Sequence, residues 1–395
     1  MTFWCQSSAI MRIAMVGQKG IPTRFGGIER HVEALSVRLG KAGHEVLVYT
    51  RAWYADPAFV CPEGVKIIVT PTIRTKHLDA IVHTFTSTVH AIREGVDVIH
   101  YHGVGPSLLS WIPRVFAPRI RVVSTFHCID RKHQKWGVFA RAMLWLGERF
   151  ACTFPHQTIT VSRTLRSYCE KRHGRCAHYI PNGIVEPEFG ELGWSDVLER
   201  YGLEPGGYIV MVSRLVRHKG AHHLIDAYRK IKANGGAYGK KLVIVGDSAF
   251  TDDYVAGLKA LAAGDDDIVF TGYRAGADLD LLFAGAYLVV HPSESEGLPI
   301  AVLEAMSYGK TVLASDIPEN LEAVGEHGVT FCNKDVDDLA LKLVHLIRHP
   351  HDVAERGERS KRYVIENYHW DDVASAVDGL YRSLASVAVE KNAIA

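Results

Sequence analysis

Short apolar, β-branched runs alternate with amphipathic stretches of roughly 10–16 residues, and the alternation passes along the chain twice. No other feature constrains the fold as strongly, because strand–helix–strand units of this kind close into a parallel sheet covered by helices. The first series places strands near Arg12–Val16, Glu45–Thr50, Lys66–Thr70, Asp97–Tyr101, Arg121–Phe126 and Gln157–Val161. Between the first two, Ile28, Val32, Leu35 and Leu39 keep the 4-3-4 spacing of one helix face. The second series places strands near Tyr208–Val212, Lys241–Val245, Ile268–Thr271, Tyr287–His291, Thr311–Ala314 and Val329–Phe331. The expected fold class is α/β, with two Rossmann-like, doubly wound parallel-sheet domains.

Turn formers crowd the gap between the series: Pro181, Asn182, Gly183, Pro187, Gly190, Gly193, Pro205, Gly206 and Gly207. This sets an N-terminal domain at 11–185, a linker at 186–204, a C-terminal domain at 205–366 and a closing helix at 367–388. Val373, Val377, Leu380 and Leu384 give that helix its apolar face. Two such sheets facing each other would leave a central cleft outside the carboxyl ends of their strands, where folds of this type bind ligands.

With 47% apolar and 23% charged residues, the composition excludes a disordered chain. No apolar run reaches the roughly 18–20 residues that cross a bilayer; the longest, Leu281–Val290, is about half that. The first ten residues show no basic n-region and no apolar h-region, and read as a loose leader before Met11 rather than a signal peptide. Seven cysteines, an odd number with no C-x-x-C, argue against a disulfide framework or a thiolate zinc site and fit a reducing cytoplasm.

Charge is unevenly spread. Residues 1–190 hold 24 Lys+Arg against 13 Asp+Glu, and the remainder 21 against 31, so +11 and −10 make the overall +1. A basic half suggests an anionic surface as partner.

Four segments carry chemistry. His291–Glu304 follows an apolar strand, turns through Gly297 and Pro299 and enters a helix; Glu296 lies in the loop and Glu304 in the helix. Pro299 suits the first helical turn, the helix start offers free N–H groups to an anion, and two carboxylates accept hydrogen bonds from neutral hydroxyls such as those of sugars. Ser213–Gly220 also links a strand to a helix, placing Arg214 and Lys219 at a strand's carboxyl end. A guanidinium fork and a compact ammonium suit the charge of a departing nucleoside diphosphate. Gly17–Glu29 follows the first strand, and its Gly26-Gly27 pair opens a helix where a ligand can approach the backbone. It is neither the G-x-G-x-x-G of dinucleotide enzymes nor a Walker loop. Ser124–Asp130 puts His127 at another strand end, expected to face Glu296 across the cleft, with Asp130 and Arg131 next along as acceptor-binding candidates.

Weaker features read as structural. His100 and His102 are two apart and could share a face, but a metal needs at least one further ligand and none is near in sequence, so no metal site is assigned. Asp265-Asp266-Asp267 precedes a strand and reads as a solvated turn.

Taken together, Glu296-x7-Glu304, Arg214…Lys219-Gly220, Gly26-Gly27 and His127 resemble the retaining glycosyltransferases of family 4, which have the GT-B fold of two Rossmann domains. The resemblance covers nearly the whole chain after Met11. The Gly17–Gly27 opening is also similar to a bacterial subgroup that includes rhamnosyltransferases of cell-surface polysaccharide assembly. The resemblance implies that Arg214 and Lys219 hold the donor diphosphate and stabilise it as it leaves, that Glu304 binds the ribose, and that Glu296 binds a sugar hydroxyl. It implies that Gly27, Gly297, Leu298 and Pro299 lie near phosphate or sugar, that Gly246, Gly272 and Tyr273 line the base pocket, and that His127 hydrogen-bonds the sugar near the reacting carbon. The donor is then a nucleotide-diphosphate sugar and no cofactor is required. The acceptor is a saccharide or lipid-linked saccharide, reached from the inner face of a membrane.

That membrane expectation rests on aromatics mixed with cations, in Trp111–Arg121 and in Arg131–Arg141; the alternative makes Trp136, Phe139 and Trp145 core residues. No RNA-binding module is present. The rival readings are a nucleotide-sugar epimerase or sugar phosphorylase of the same fold, a non-catalytic scaffold that binds sugar nucleotides, and an NAD-dependent oxidoreductase, the last disfavoured by the missing glycine fingerprint.

Overall fold

The computed structural model describes residues 10–24, 26–75, 78–132, 137–187, 195–249 and 251–393. The expected leader (residues 1–9), part of the expected linker (188–194) and Trp136 lie outside the described residues.

The chain divides into two compact units, each built on one parallel sheet. In the first, β1 (Arg12–Val16), β2 (Glu45–Arg51), β3 (Val65–Thr70), β4 (Val98–His102), β5 (Arg121–Phe126), β6 (Gln157–Thr160) and β7 (His178–Tyr179) pair in the order β3-β2-β1-β4-β5-β6-β7. Ile13 pairs with Val46 on one side and Val98 on the other. Ile13, Ala14, Met15 and Val16 are fully buried, as a central parallel strand covered on both faces must be. The Gly27–Lys41 helix buries Val32, Leu35 and Leu39, three of the residues that carry its helical spacing.

In the second unit, β8 (Tyr208–Val212), β9 (Lys241–Val245), β10 (Ile268–Gly272), β11 (Leu288–His291), β12 (Val312–Ser315) and β13 (Val329–Phe331) pair in the order β10-β9-β8-β11-β12-β13. Its core joins Ile209, Met211, Leu242 and Ile244 of the sheet to Leu224 and Ile225 of the Ala221–Ala233 helix. Both strand orders run outward in one direction and then restart from the centre, the doubly wound arrangement with its switch point beside the first strand.

The chain passes from the first unit to the second between Ile180 and Pro181, earlier than the 186–204 linker. The turn-rich stretch is not a free tether: Ile184 N–H donates to Tyr368 at 2.7 Å, and Trp370 N–H donates to Ile184 at 3.1 Å. From Asp371 onward the closing helix (Trp370–Ala393) belongs to the first unit. It is held there by Asp371 on Arg38 at 2.6 Å, Asp378 on His44 at 2.9 Å and the Tyr381 hydroxyl on His100 at 2.6 Å. Among the described residues no helix is long and apolar enough to cross a membrane.

Candidate active site

The second unit's switch point lies between β8 and β11, so the loops after these neighbouring strands emerge side by side. They are the two loops that carry Arg214, Lys219 and Glu296. After β8 the chain makes a short 3-10 turn, Arg217–Lys219, and enters the Ala221–Ala233 helix through Gly220. Gly220 has φ +74°, and a Cβ there would lie 2.0 Å from the Pro292 carbonyl oxygen, so only glycine lets the β8 loop sit this close to the β11 loop. Glu294 N–H donates to the His218 carbonyl at 2.8 Å and fastens the two loops.

This contact brings Lys219 onto Glu296. The Lys219 Nζ lies 2.5 Å from Glu296 Oε1, and His291 Nε2 lies 2.7 Å from the same oxygen. Ser293 Oγ is 3.1 Å from His291 Nε2. Burial by itself would push the Glu296 pKa up, but Lys219 and His291 outweigh it and hold the carboxyl well below its ordinary range. Glu296 is therefore a fixed anion, with Oε2 unpaired among the described residues. Arg214, half-buried at the end of β8, makes no ion pair among the described residues. The ensemble offers one unpaired guanidinium, one ammonium and one carboxylate oxygen in a single loop pair. Sequence reasoning gave Lys219 and Glu296 separate ligands and did not foresee that they contact each other, nor that His291 shares the carboxylate.

Gly246 follows β9 with φ +142°, and a Cβ there would meet the Ser213 carbonyl oxygen at 1.8 Å. Its N–H donates to Gly272 at the end of β10 at 2.9 Å, so Gly246 and Gly272 join the strand ends beside Arg214. Tyr273 follows, 39% exposed. Gly297, Leu298 and Pro299 are buried, and the Leu298 carbonyl accepts from Asn182 Nδ2 at 2.8 Å. Pro299 caps the Ile300–Ser307 helix rather than forming its first turn, one position earlier than expected. Glu304 sits half-buried within that helix. The Asp265–Asp267 run holds Lys232, with Asp267 at 2.6 Å, and does so as an ion pair in a turn.

In the first unit the switch point lies between β1 and β4. The loop from Gly17 is tied to its own following helix: Lys19 N–H donates to Glu29 at 3.1 Å and Thr23 N–H to Glu33 at 2.9 Å. Gly27 begins that helix. His127 directly follows β5 but is only 7% exposed. It lies among imidazoles, with Nε2 3.3 Å from His102 Nδ1 and its ring edge-on to His31 at 4.8 Å. His100, beside His102, turns to Tyr381 at 2.6 Å and Thr125 at 2.7 Å. Burial, with neighbouring imidazoles adding to it, holds His100, His102 and His127 well below the usual histidine range, so all three are neutral near pH 7. Arg131 has two of its nitrogens engaged: Nε donates to Glu148 at 2.9 Å and Nη2 to Tyr168 at 2.9 Å. Asp130 accepts from the Cys128 thiol at 3.1 Å.

Residues 206–349 match the family model described as glycosyl transferases group 1, and residues 25–186 match the model Glycosyltransferase Family 4. An uncharacterized glycosyltransferase of Methanocaldococcus jannaschii is 28% identical, covering 94% of this chain and 98% of the relative. The phosphatidylinositol N-acetylglucosaminyltransferase gpi3 subunit of Schizosaccharomyces pombe is 26% identical over 91% of this chain and 78% of its own. Among solved structures, sucrose-phosphate synthase from Thermosynechococcus elongatus superposes with a TM-score of 0.80 at 20% identity, covering 95% of this chain and all of that one. Anabaena HepE, solved with UDP-glucose, gives 0.76 at 21% identity, covering 94% and 100%. Two Rossmann-like parallel-sheet units with these neighbours define the GT-B architecture, and with these relatives the protein is a glycosyltransferase. Its two matched segments are similar to the group 1 and family 4 glycosyltransferase domains of that architecture.

Proposed function

We propose that the protein is a retaining glycosyltransferase. It moves a hexose or deoxyhexose such as rhamnose from a nucleotide-diphosphate sugar to a saccharide or lipid-linked saccharide in cell-surface polysaccharide assembly. The observation that carries the reading is Arg214, without an ion pair among the described residues, on the same loop as Lys219, with the ionised Glu296 on the adjoining loop at the β8/β11 switch point. A departing nucleoside diphosphate gains negative charge in the transition state, and fixed cations aimed at it act mainly there. Lys219 then serves both partners: its charge stabilises the phosphates, and its contact keeps Glu296 ionised to accept a sugar hydroxyl through Oε2. A carboxylate oxygen already holding an ammonium and an imidazole is a weak nucleophile, which favours attack by the acceptor hydroxyl on the diphosphate's own face, a phosphate oxygen taking the proton. In this reading Glu304 holds the ribose, Gly246, Gly272 and Tyr273 flank the base, Gly27 meets phosphate, His127 hydrogen-bonds the sugar, and Asp130 with Arg131 meets the acceptor. The relatives' names support a nucleotide sugar and a lipid acceptor: HepE was solved with UDP-glucose, and the yeast relative is named for phosphatidylinositol.

Arg214→Ala and Lys219→Ala are each expected to lower transfer by about 10²–10³-fold while circular dichroism stays native. Near-normal transfer by both would overturn the leaving-group assignment. A nucleotide sugar that is the donor should raise the apparent stability without added metal, by about 2.7 kcal/mol at a hundredfold excess over Kd.

The membrane part of the reading is supported by side chains that water does not favour. Phe139 is 80% exposed, Val138 86%, Phe116 70% and Trp145 41%, so Phe139 and Trp145 are not core residues. Arg114, Arg119 and Arg141 are their chain neighbours. Vesicles with anionic lipid should sediment the protein at low salt and release it as salt rises; no binding at low salt removes the membrane from the proposal.

A further inference from the structure

His31, His102 and His127 come from three separate elements of the first unit: the Gly27–Lys41 helix, the end of β4 and the residue after β5. All three are buried, at 2%, 0% and 7% exposed. One ring nitrogen from each lies within 4.8 Å of the other two. The closest pair, His102 Nδ1 and His127 Nε2, is 3.3 Å apart. Two imidazole nitrogens at about 2.0–2.1 Å from one tetrahedral zinc are separated by about 3.3–3.4 Å. This pair thus already has coordination spacing, and His31 needs only a ring adjustment to complete a face.

The surroundings select the ligand atoms. His102 Nε2 faces the Met15 thioether at 3.4 Å, which leaves Nδ1 as the nitrogen turned toward His127. The His100 ring lies 4.1 Å from that of His102, tilted by 34°, but both its nitrogens are used by Tyr381 and Thr125, so it braces the cluster from outside. We propose that His31, His102 and His127 form a three-imidazole site for a divalent transition-metal ion of the zinc class, with the fourth position open. Imidazole donors suit zinc, cobalt, nickel or copper and not magnesium or calcium. A second histidine group, His222 and His223 with Glu294, is a poorer candidate because Lys334 Nζ already occupies Glu294 at 2.9 Å.

Coordination would take the His127 Nε2 lone pair, so the metal is expected to inhibit transfer; that consequence alone rests on the sugar role proposed for His127. The full-length protein, stripped with chelator, is titrated with Co²⁺ and Zn²⁺ by visible absorption and calorimetry, with Mg²⁺ as control. The expected result is one Co²⁺ per chain with the intense visible bands of a four-coordinate ion, displaced by Zn²⁺. His31→Gln and His102→Gln should each weaken binding by about tenfold or more, and His222→Gln should not. Thermal melts of the metal-free variants identify any that fail to fold; should His102→Gln do so, His31→Gln decides, since it lies on a helix rather than in the sheet. No Co²⁺ spectrum, or a spectrum unchanged in His31→Gln, overturns the site. Metal bound without inhibition upholds the site and counts instead against the sugar role of His127.

Discussion

Glu296 shows how much one contact changes what a side chain can do. A buried carboxylate left alone would take up a proton, yet here Lys219 at 2.5 Å and His291 at 2.7 Å keep it charged. The sign of the resulting pH dependence follows directly. Its folded pKa lies below the ordinary value of 4.5, so the pair stabilises fully above that value and the contribution is lost as pH falls through the lower folded pKa. Glu296→Gln should therefore cost about 2 kcal/mol at pH 7, somewhat less than a fully buried pair because Lys219 keeps 13% of its side chain exposed. Urea midpoints of wild type and variant should converge below the ordinary carboxylate range. Equal midpoints at pH 7 would mean that the pair does not form in solution.

At the scale of elements, the site exists because two strand-end loops touch, and Gly220 permits the touch. Gly220→Ala faces both a left-handed φ of +74° and the Pro292 oxygen at 2.0 Å, so the loops must separate and Lys219 must move off Glu296. Gly235→Ala is the matched control: φ is +68° but nothing lies within 4 Å of the new Cβ, so only the conformational strain of about 1–2 kcal/mol remains. Donor affinity should fall in the first variant and hold in the second; equal affinities would show that the loop contact does not order the site. The strands around these loops were legible because their apolar, β-branched runs are local signals that need no distant residue to be read. β7 was not legible, because His178–Tyr179 is two residues long with an exposed first member. The Lys219–Glu296 contact spans 77 residues, and neither residue carries any mark of the other in the sequence. The same holds for the histidines: His100 and His102 are visible as a pair and their rings stay 4.1 Å apart, but His100 bonds Tyr381 and Thr125 while His102 meets His31 and His127 from two other elements.

At the scale of the whole molecule, the chain finishes on the unit where it started. Pro181–Trp370 builds the second unit, and from Asp371 the closing helix returns to the first. The helix covers groups that water would otherwise reach: His44, whose Nδ1 accepts from Met11 N–H at 3.1 Å and whose Nε2 meets Asp378, and the fully buried His100. Val373, Val377, Leu380, Tyr381 and Leu384 are all buried. At about 1.5–3 kcal/mol for each such side chain, their loss rivals the whole stability of a typical domain, about 5–15 kcal/mol. The milder change, Tyr381→Phe, leaves His100 Nδ1 buried without its partner and should cost about 1–3 kcal/mol. Ending the chain at Trp370 should therefore destabilise one unit and spare the other. Hydrogen exchange followed by mass spectrometry should show β1 and β4 losing protection while β8 and β11 keep it. Protection retained in β1 and β4 would make the helix an accessory to a first unit that is stable alone, and loss in all four strands would mean that the two units fold as one cooperative body.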